Sequence, residues 1–164
     1  MPTPKELGLN AQIVKRSFAY NPLTGEIKRT LSYGRAIAGQ IFQDENLISV
    51  YGVHIRPARL AWFLFHGTWP PNGYHVDHIN GVKADNRILN LRLATPTQNQ
   101  QNKAGMGQYA KGVTWRDRQS KPWQAKIRVN GVRIHLGSFE THDEAAEAYR
   151  VACIKYHKEF ANHE

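Results

Sequence analysis

The stretch from Trp123 to Leu136 constrains the fold of this chain more than any other. Apolar and polar residues alternate along Trp123–Val129 and again from Val132 onwards, and Asn130-Gly131 separates the two runs. Strict alternation is typical of a strand with one buried face, and Asn-Gly between two such runs is the strongest short hairpin signal. The pattern therefore predicts an antiparallel hairpin, to which residues 112–116 can add a third strand.

A helix is predicted directly after this hairpin. Thr141 and Glu144 have the spacing of a capping box, which marks a helix start. The residues that follow form one apolar stripe at helical spacing: Ala145, Ala148, Tyr149, Ala152, Tyr156 and Phe160. Cys153 lies on the same stripe, where we expect a buried, unreactive thiol. Residues 110–162 are thus expected to form a three-stranded sheet backed by one helix.

The alternation also sorts side chains between the two faces of this sheet. The helix side receives Trp123, Ala125, Ile127, Val132, Ile134 and Leu136. The opposite face receives Thr114, Arg116, Gln124, Lys126, Arg128, Arg133 and His135. That set holds four formal positive charges and no carboxylate. Solvated surfaces usually mix both signs, so we favour a DNA-binding face over a plain solvated one.

The charge of the whole chain agrees with an acidic partner. The net charge is +9, and residues 51–139 hold 13 Lys and Arg against 3 Asp and Glu. Residues 140–164 hold 3 against 6. Such an asymmetry indicates a defined binding face, with nucleic acid as the first expectation and a membrane surface as the second.

Composition excludes several other classes. The single cysteine, Cys153, excludes an intrachain disulfide and a multi-cysteine zinc site within one chain. No secretory signal and no run of ~18 apolar residues is visible. We expect a soluble, cytoplasmic protein.

The first part of the chain predicts small elements. Residues 1–17 mix Pro, Gly and Lys and are expected to be poorly ordered. Short β-type runs flank residues 21–25, which predicts a hairpin, and residues 31–56 suggest further small antiparallel strands. A helix is expected over residues 58–66, with Gly67 as its cap. The aromatic residues Trp62, Phe63, Trp69 and Trp115 are interpreted as core.

Residues 74–99 carry the groups that point to chemistry. A short strand leads into Asp77-His78, a long loop follows, and Leu91–Ala94 reads as a second strand. Thr95 with Gln98 is a capping box with Pro at the first helical position, so a helix is expected from Pro96 to about Lys103. Asn99 lies on that helix.

The residue types alone leave several interpretations open. One carboxylate, one imidazole and several amide oxygens suit a hard metal ion with a water-activating base. Asp85, Asn86 and Asn90 can equally cap turns. A zinc module at His75, Asp77 and His78 is a third interpretation, which the lack of a cysteine set disfavours. For His75 alone, a surface position is a simpler interpretation than a role as a ligand.

A resemblance narrows these interpretations. Four segments resemble HNH endonucleases of the phage and homing type: VDHING from Val76, DNR from Asp85, NLR from Asn90 and TPTQN from Thr95. The likeness spans about residues 18–103 and includes RLAW from Arg59, although Ala58 stands where many members have His.

What the resemblance implies is a set of roles in a ββα-metal site. His78 would be the general base. Asp77 and Asn99 would be ligands of one divalent ion, Mg²⁺ or Mn²⁺. Asn90 would pin the loop, and Arg92 would hold a phosphate.

The second part resembles another family. KGV from Lys111, WQAKIR from Trp123, RIHLGSF from Arg133 and EAAEAY from Glu144 are similar to the plant ethylene-response-factor (Apetala-type) DNA-binding domain. The likeness implies that Arg116, Arg128 and Arg133 occupy the places of arginines that touch DNA. Thr114, Lys126 and His135 depart from the plant pattern, which leaves the recognised base sequence open.

Together these observations predict an α+β protein of two modules. Residues 1–104 would form the nuclease, 105–109 a linker and 110–164 the DNA-binding module. The expected activity is metal-dependent cleavage of double-stranded DNA by a phage or mobile-element nuclease acting in the bacterial host cytoplasm. The alternative is a non-catalytic DNA-binding regulator, and a monomer and a homodimer are both compatible with the sequence.

Overall fold

The computed structural model describes residues 10–102, 108–117 and 120–161. Over these residues the chain is a mixed α+β protein with small antiparallel sheets and four α-helices, as its sequence predicts. It divides into two compact units, Met1–Pro96 and Thr97–Glu164. No helix in the described part is both long and apolar enough to cross a membrane.

The first unit is built from short elements. In chain order they are α1 (Ala11–Ser17), β1 (Phe18–Tyr20), β2 (Ile27–Arg29), β3 (Ile41–Phe42), β4 (Ile48–Val50), β5 (Val53–Ile55), α2 (Pro57–His66), β6 (His75–His78) and β7 (Leu91–Ala94). The sheets are β1-β2-β3, β4-β5 and β6-β7, and every pairing is antiparallel. The predicted hairpin around residues 21–25 is confirmed as β1 and β2.

Helix α1 corrects one prediction. Residues 11–17 were expected to be poorly ordered, but they form a helix, while residues 1–9 lie outside the described part. Asn10 caps the helix by accepting from the backbone N–H groups of Gln12 and Ile13. Val14 and Ser17 are buried, so packing stabilises a helix too short to form alone.

The core of the first unit gathers around α2. Leu60, Ala61 and Phe63 are buried there, and Trp69 stacks on Phe63 with ring centroids 4.0 Å apart. The helix ends at His66, and Gly67 adopts the left-handed conformation of a C-cap, as predicted. Ala58 is buried in the same core.

The hairpin of β6 and β7 carries three of the five residues predicted for the nuclease site. Asp77 lies opposite Arg92, and His78 lies opposite Leu91. A short 3-10 helix, Ile88–Asn90, leads directly into β7. The two strands therefore hold the ends of the intervening loop in a fixed register.

The second unit has the predicted sheet and helix. Its elements are α3 (Pro96–Gln101), which begins at the last residue of the first unit, then β8 (Val113–Trp115), β9 (Trp123–Val129), β10 (Val132–Phe139) and α4 (His142–His157). The antiparallel sheet has the order β10-β9-β8. Helix α4 begins with the predicted capping box of Thr141 and Glu144 and packs on one face of the sheet.

Three side chains differ from expectation in this unit. Tyr156 was expected to be buried, but it is exposed. The buried face of α4 continues at four-residue spacing from Tyr149 through Cys153 to His157, so Tyr156 lies outside it. Trp115 is 44% exposed at the end of edge strand β8, so its assignment to the core is wrong. Val132 is 64% exposed because it follows the Asn130-Gly131 turn at the end of the sheet.

A β-bulge between His135 and Gly137 changes which side chains at the end of β10 face the core. Leu136 has no partner in the register and packs against the buried clusters of the unit. Gly137 then lies opposite Ala125, and Phe139 lies opposite Trp123. The extra residue therefore reverses the alternation after His135 and puts Phe139 on the helix side of the sheet together with Trp123.

Candidate functional site

A buried ion pair lies on the β6-β7 hairpin. Arg92 donates through Nε to Oδ2 of Asp77 at 3.0 Å, and both side chains are largely buried. A carboxylate at such a depth needs a partner, since an isolated buried charge is costly. Arg92, which was predicted to hold a phosphate, is thus in direct contact with Asp77.

Asn90 cross-links the loop between the strands. Its Oδ1 accepts from the backbone N–H of Asn80 at 3.0 Å. Its Nδ2 donates to Oδ1 of Asn80 at 2.9 Å and to the carbonyl of Asp85 at 2.8 Å. One buried amide therefore ties Asn80 and Asp85 to the residue that precedes β7.

Asp85 also links residues of the loop through hydrogen bonds. Its carboxylate accepts from Arg87 at 2.7 and 2.6 Å and from Nδ2 of Asn80 at 2.8 Å. The hydrogen bonds from Arg87 are the largest cause that lowers the pKa of Asp85, to about 2. The group is therefore ionised at neutral pH and serves as an acceptor inside the loop.

His78 is oriented by a residue to which sequence reasoning gave no functional role. Its Nε2 lies 3.1 Å from Oδ1 of Asn86, and Asn86 is fully buried. The sequence placed Asn86 in a turn, because Asp-Asn pairs commonly cap turns. Nothing in the spacing of residues 78 and 86 signals this contact, since an irregular loop has no period from which to infer it.

The N-terminal hairpin reaches the same loop. The hydroxyl of Tyr20 donates to the backbone carbonyl of Asn86 at 2.7 Å, and the N–H of Ile88 donates to the carbonyl of Pro22 at 3.1 Å. Burial, and then the negative charge of Asp85, raise the pKa of Tyr20 to about 12. The phenol is therefore protonated at neutral pH and available as a donor.

The predicted metal ligands fit a hard cation in their chemistry. Asp77 supplies a carboxylate and Asn99, on α3, supplies an amide oxygen, and Mg²⁺ and Mn²⁺ prefer such donors. Within the described ranges no three His, Cys, Asp or Glu side chains form a group that could hold a metal. The zinc module at His75, Asp77 and His78 is therefore not supported, and His75 is exposed on β6.

The sheet register brings together residues of the predicted basic face, which comprises Thr114, Arg116, Gln124, Lys126, Arg128, Arg133 and His135. Thr114 lies opposite Gln124, Lys126 opposite His135 and Arg128 opposite Arg133. Arg116 follows β8 and is exposed. Like charges that lie opposite each other across two strands repel, so an anion bound at this face would reduce the repulsion.

Part of the chain is similar to HNH endonucleases. Residues 57–101 match the family model described as HNH endonuclease, and this segment is an HNH endonuclease domain. The chain is 35% identical over 91 residues to an uncharacterized HNH endonuclease of Acanthamoeba polyphaga mimivirus, which covers 56% of this chain and 47% of that protein. It is 29% identical over 98 residues to Protein 3.8 of Escherichia phage T7, covering 56% of this chain and 76% of that protein.

A separate likeness involves plant proteins. The chain is 54% identical over 48 residues to an AP2-like ethylene-responsive transcription factor of Oryza sativa subsp. japonica, covering 28% of this chain and 7% of that protein. One of the Arabidopsis thaliana proteins of the same description is 52% identical over 48 residues. The likeness is confined to a short segment. No solved structure matches the chain. The chain spans about half of the mimivirus relative and under a tenth of these plant relatives.

Proposed function

We propose that this chain is a metal-dependent endonuclease that hydrolyses phosphodiester bonds in duplex DNA, of the phage or mobile-element (homing) type. The observation that carries the proposal is the anchored position of His78. The imidazole is held by Asn86, in a loop that Asn90 cross-links, and it follows the paired carboxylate of Asp77 on one strand.

His78 would act as the general base. The imidazole is the side chain whose ordinary pKa lies close to neutral pH, so it can accept a proton from water. The activated water would attack the phosphorus in line with the leaving 3′ oxygen. The products would carry 5′-phosphate and 3′-hydroxyl ends.

Asp77 and Asn99 would hold one Mg²⁺ or Mn²⁺ ion. When bound, that ion would offset the charge that grows on the phosphate and the leaving oxygen. Arg92 fixes the carboxylate of Asp77 through Nε. The predicted phosphate contact of Arg92 would then come from another nitrogen of its guanidinium group.

The sheet and helix of the second unit would supply affinity and placement on DNA. Phosphate contacts position a protein on the duplex, and base contacts specify sequence. The proposed contact set is the basic face: Thr114, Arg116, Gln124, Lys126, Arg128, Arg133 and His135. The module boundaries, 1–104, 105–109 and 110–164, stay a proposal, and residues 105–107 lie outside the described part.

Cleavage of plasmid DNA in Mg²⁺ or Mn²⁺ tests this function. We expect nicked or linear products with the wild-type protein and none with excess chelator. His78→Ala should abolish cleavage while duplex binding stays within about twofold. His54→Ala, at an exposed position of β5 in the same unit, is the matched control and should cleave normally. Equal cleavage by His78→Ala and wild type would remove His78 as the base.

The alternative function is a non-catalytic DNA-binding regulator. The one-sided charge of the basic face and the short likeness to plant transcription factors favour it. Sequence-specific binding by a wild-type protein that cuts no DNA in either metal would establish this alternative.

A further inference from the structure

We propose that Asn86 and Tyr20 are positioning residues for His78. Asn86 fixes the tautomer of the imidazole so that Nδ1 is the proton acceptor, and Tyr20 holds Asn86 in place. The inference rests on the proposed role of His78 as general base, which it extends by naming the basic atom.

The first step is the orientation of the Asn86 side chain. Its Nδ2 donates to the carbonyl of Ala84 at 3.3 Å, and a carbonyl oxygen can only accept. The amide group must therefore turn its Oδ1 in the other direction. That oxygen faces Nε2 of His78 at 3.1 Å.

The second step is the tautomer of His78. An amide oxygen has no proton to donate, so Nε2 of His78 must carry the hydrogen of this bond. In the neutral ring only one nitrogen is protonated, and the other bears the basic lone pair. The contact with Asn86 therefore assigns the lone pair to Nδ1.

The third step is what holds Asn86. Its side chain is fully buried, and its backbone carbonyl accepts from the hydroxyl of Tyr20 at 2.7 Å. Gly25 lies so close that a Cβ there would sit 2.7 Å from the nitrogen of Arg87 and 2.8 Å from the carbonyl carbon of Asn86. The turn between β1 and β2 thus lies directly against the backbone that carries Asn86.

This support comes from outside the recognised family segment. Tyr20 and Gly25 both precede residues 57–101, to which the HNH endonuclease model matches. The N-terminal hairpin is therefore a working part of the site, because the orientation of the base depends on it.

Imidazole ¹⁵N chemical shifts of His78 test the tautomer without any cleavage. We expect the Nε2–H form in the metal-free wild-type protein. Asn86→Ala should lose this preference, and Asn86→Asp should keep it, since a carboxylate oxygen also accepts from Nε2. A predominant Nδ1–H form in the wild type would overturn the inference.

Single-turnover cleavage supplies the second measurement. Asn86→Ala should lower the rate on the order of 100-fold, because a misplaced catalytic group loses about that much, while the Kd for DNA is unchanged. Asn86→Asp should recover part of the rate. Tyr20→Phe should lower the rate, whereas Tyr51→Phe, which removes a similar bond to Ser17 of 2.8 Å in the same unit, should not.

The outcomes separate this inference from the proposed function. A wild-type protein that cuts no DNA contradicts the function, yet the ¹⁵N shifts still decide the tautomer. A cleaving wild type with equal rates for Asn86→Ala or Tyr20→Phe overturns the positioning roles. If Asn86→Ala does not fold, Asn86→Asp and Tyr20→Phe carry the test, with thermal unfolding measured for each.

Discussion

The polar residues of the β6-β7 loop divide their tasks by where their hydrogen bonds go. Asn90 and Asp85 bond within the loop and fix its shape. Asn86 bonds within the loop to the carbonyl of Ala84 and also to His78, the group that would do the proposed chemistry. Asn86 therefore differs from Asn90 and Asp85 in one hydrogen bond, the one to His78.

Asp85 gives a prediction for acid stability. Its pKa is lowered to about 2, below the ordinary value of ~3.9. A carboxyl with a lowered pKa in the folded state contributes stability above about pH 4 and loses that contribution as the pH falls towards 2. The free energy of unfolding of Asp85→Asn should therefore fall less between about pH 4 and pH 2 than that of wild type.

Urea unfolding at a series of acidic pH values measures this difference. Asp44→Asn is the matched control, because it removes an exposed carboxylate that bonds only to Asn46 among the contacts described. It should leave the acid dependence as in wild type. Parallel curves for Asp85→Asn and wild type would contradict the role of the Asp85–Arg87 pair.

At the scale of elements, the sheet of the second unit places like charges opposite each other. Arg128 lies opposite Arg133 in a register with no carboxylate among the predicted contact residues. Like charges that lie directly opposite each other destabilise the free protein. If this face binds DNA as proposed, the negative charge of the phosphates would reduce that repulsion.

Substitution of Arg133 should move stability and affinity in opposite directions. Arg133→Thr removes the repulsion and inserts a good strand former, so the Tm should rise. The Kd for duplex DNA should weaken about tenfold. Val132→Thr, at the exposed neighbouring position on the other face, should change affinity little. A lower Tm together with unchanged affinity would remove Arg133 from the proposed contact set.

The net charge of +9 can act on DNA in one of two ways, over the entire surface of the protein or at the basic face alone. Removing a side chain that binds one phosphate should reduce the slope of log K against log salt by about one. Arg128→Ala should show this reduction. Arg150→Ala removes the same charge from α4, where Arg150 is paired with Glu147 at 2.7 Å, and should keep the slope of wild type.

Fluorescence anisotropy with a labelled duplex over a range of salt concentrations measures both slopes. An equal reduction for the two variants would mean that the charge acts diffusely. A reduction confined to Arg128→Ala would assign binding to the basic face.

The boundary between the two units falls at the start of a helix. Helix α3 begins at Pro96, where the first unit ends, and its last carbonyl, that of Gln101, accepts from Nζ of Lys111 at 2.7 Å. Burial lowers the pKa of Lys111. The predicted boundary of the nuclease module at residue 104 stays a prediction. The predicted linker at 105–109 stays a prediction.

The elements with local signals could be predicted from the amino-acid sequence. Alternation with Asn-Gly gave the β9-β10 hairpin and its basic face, the capping box gave the start of α4, and Gly67 gave the end of α2. Each signal lies within a few residues and expresses a backbone preference or a two-sided environment, so it can be recognised without knowledge of the fold.

The contacts between distant segments could not be predicted from the sequence and were found only in the folded structure. The hydrogen bond of Tyr20 to Asn86 spans 66 positions, and the bond of Asn86 to His78 crosses an irregular loop. The exposure of Trp115 likewise depends on its place at the end of an edge strand. These features follow from how the hairpins pack, and no periodic pattern along the chain encodes that packing.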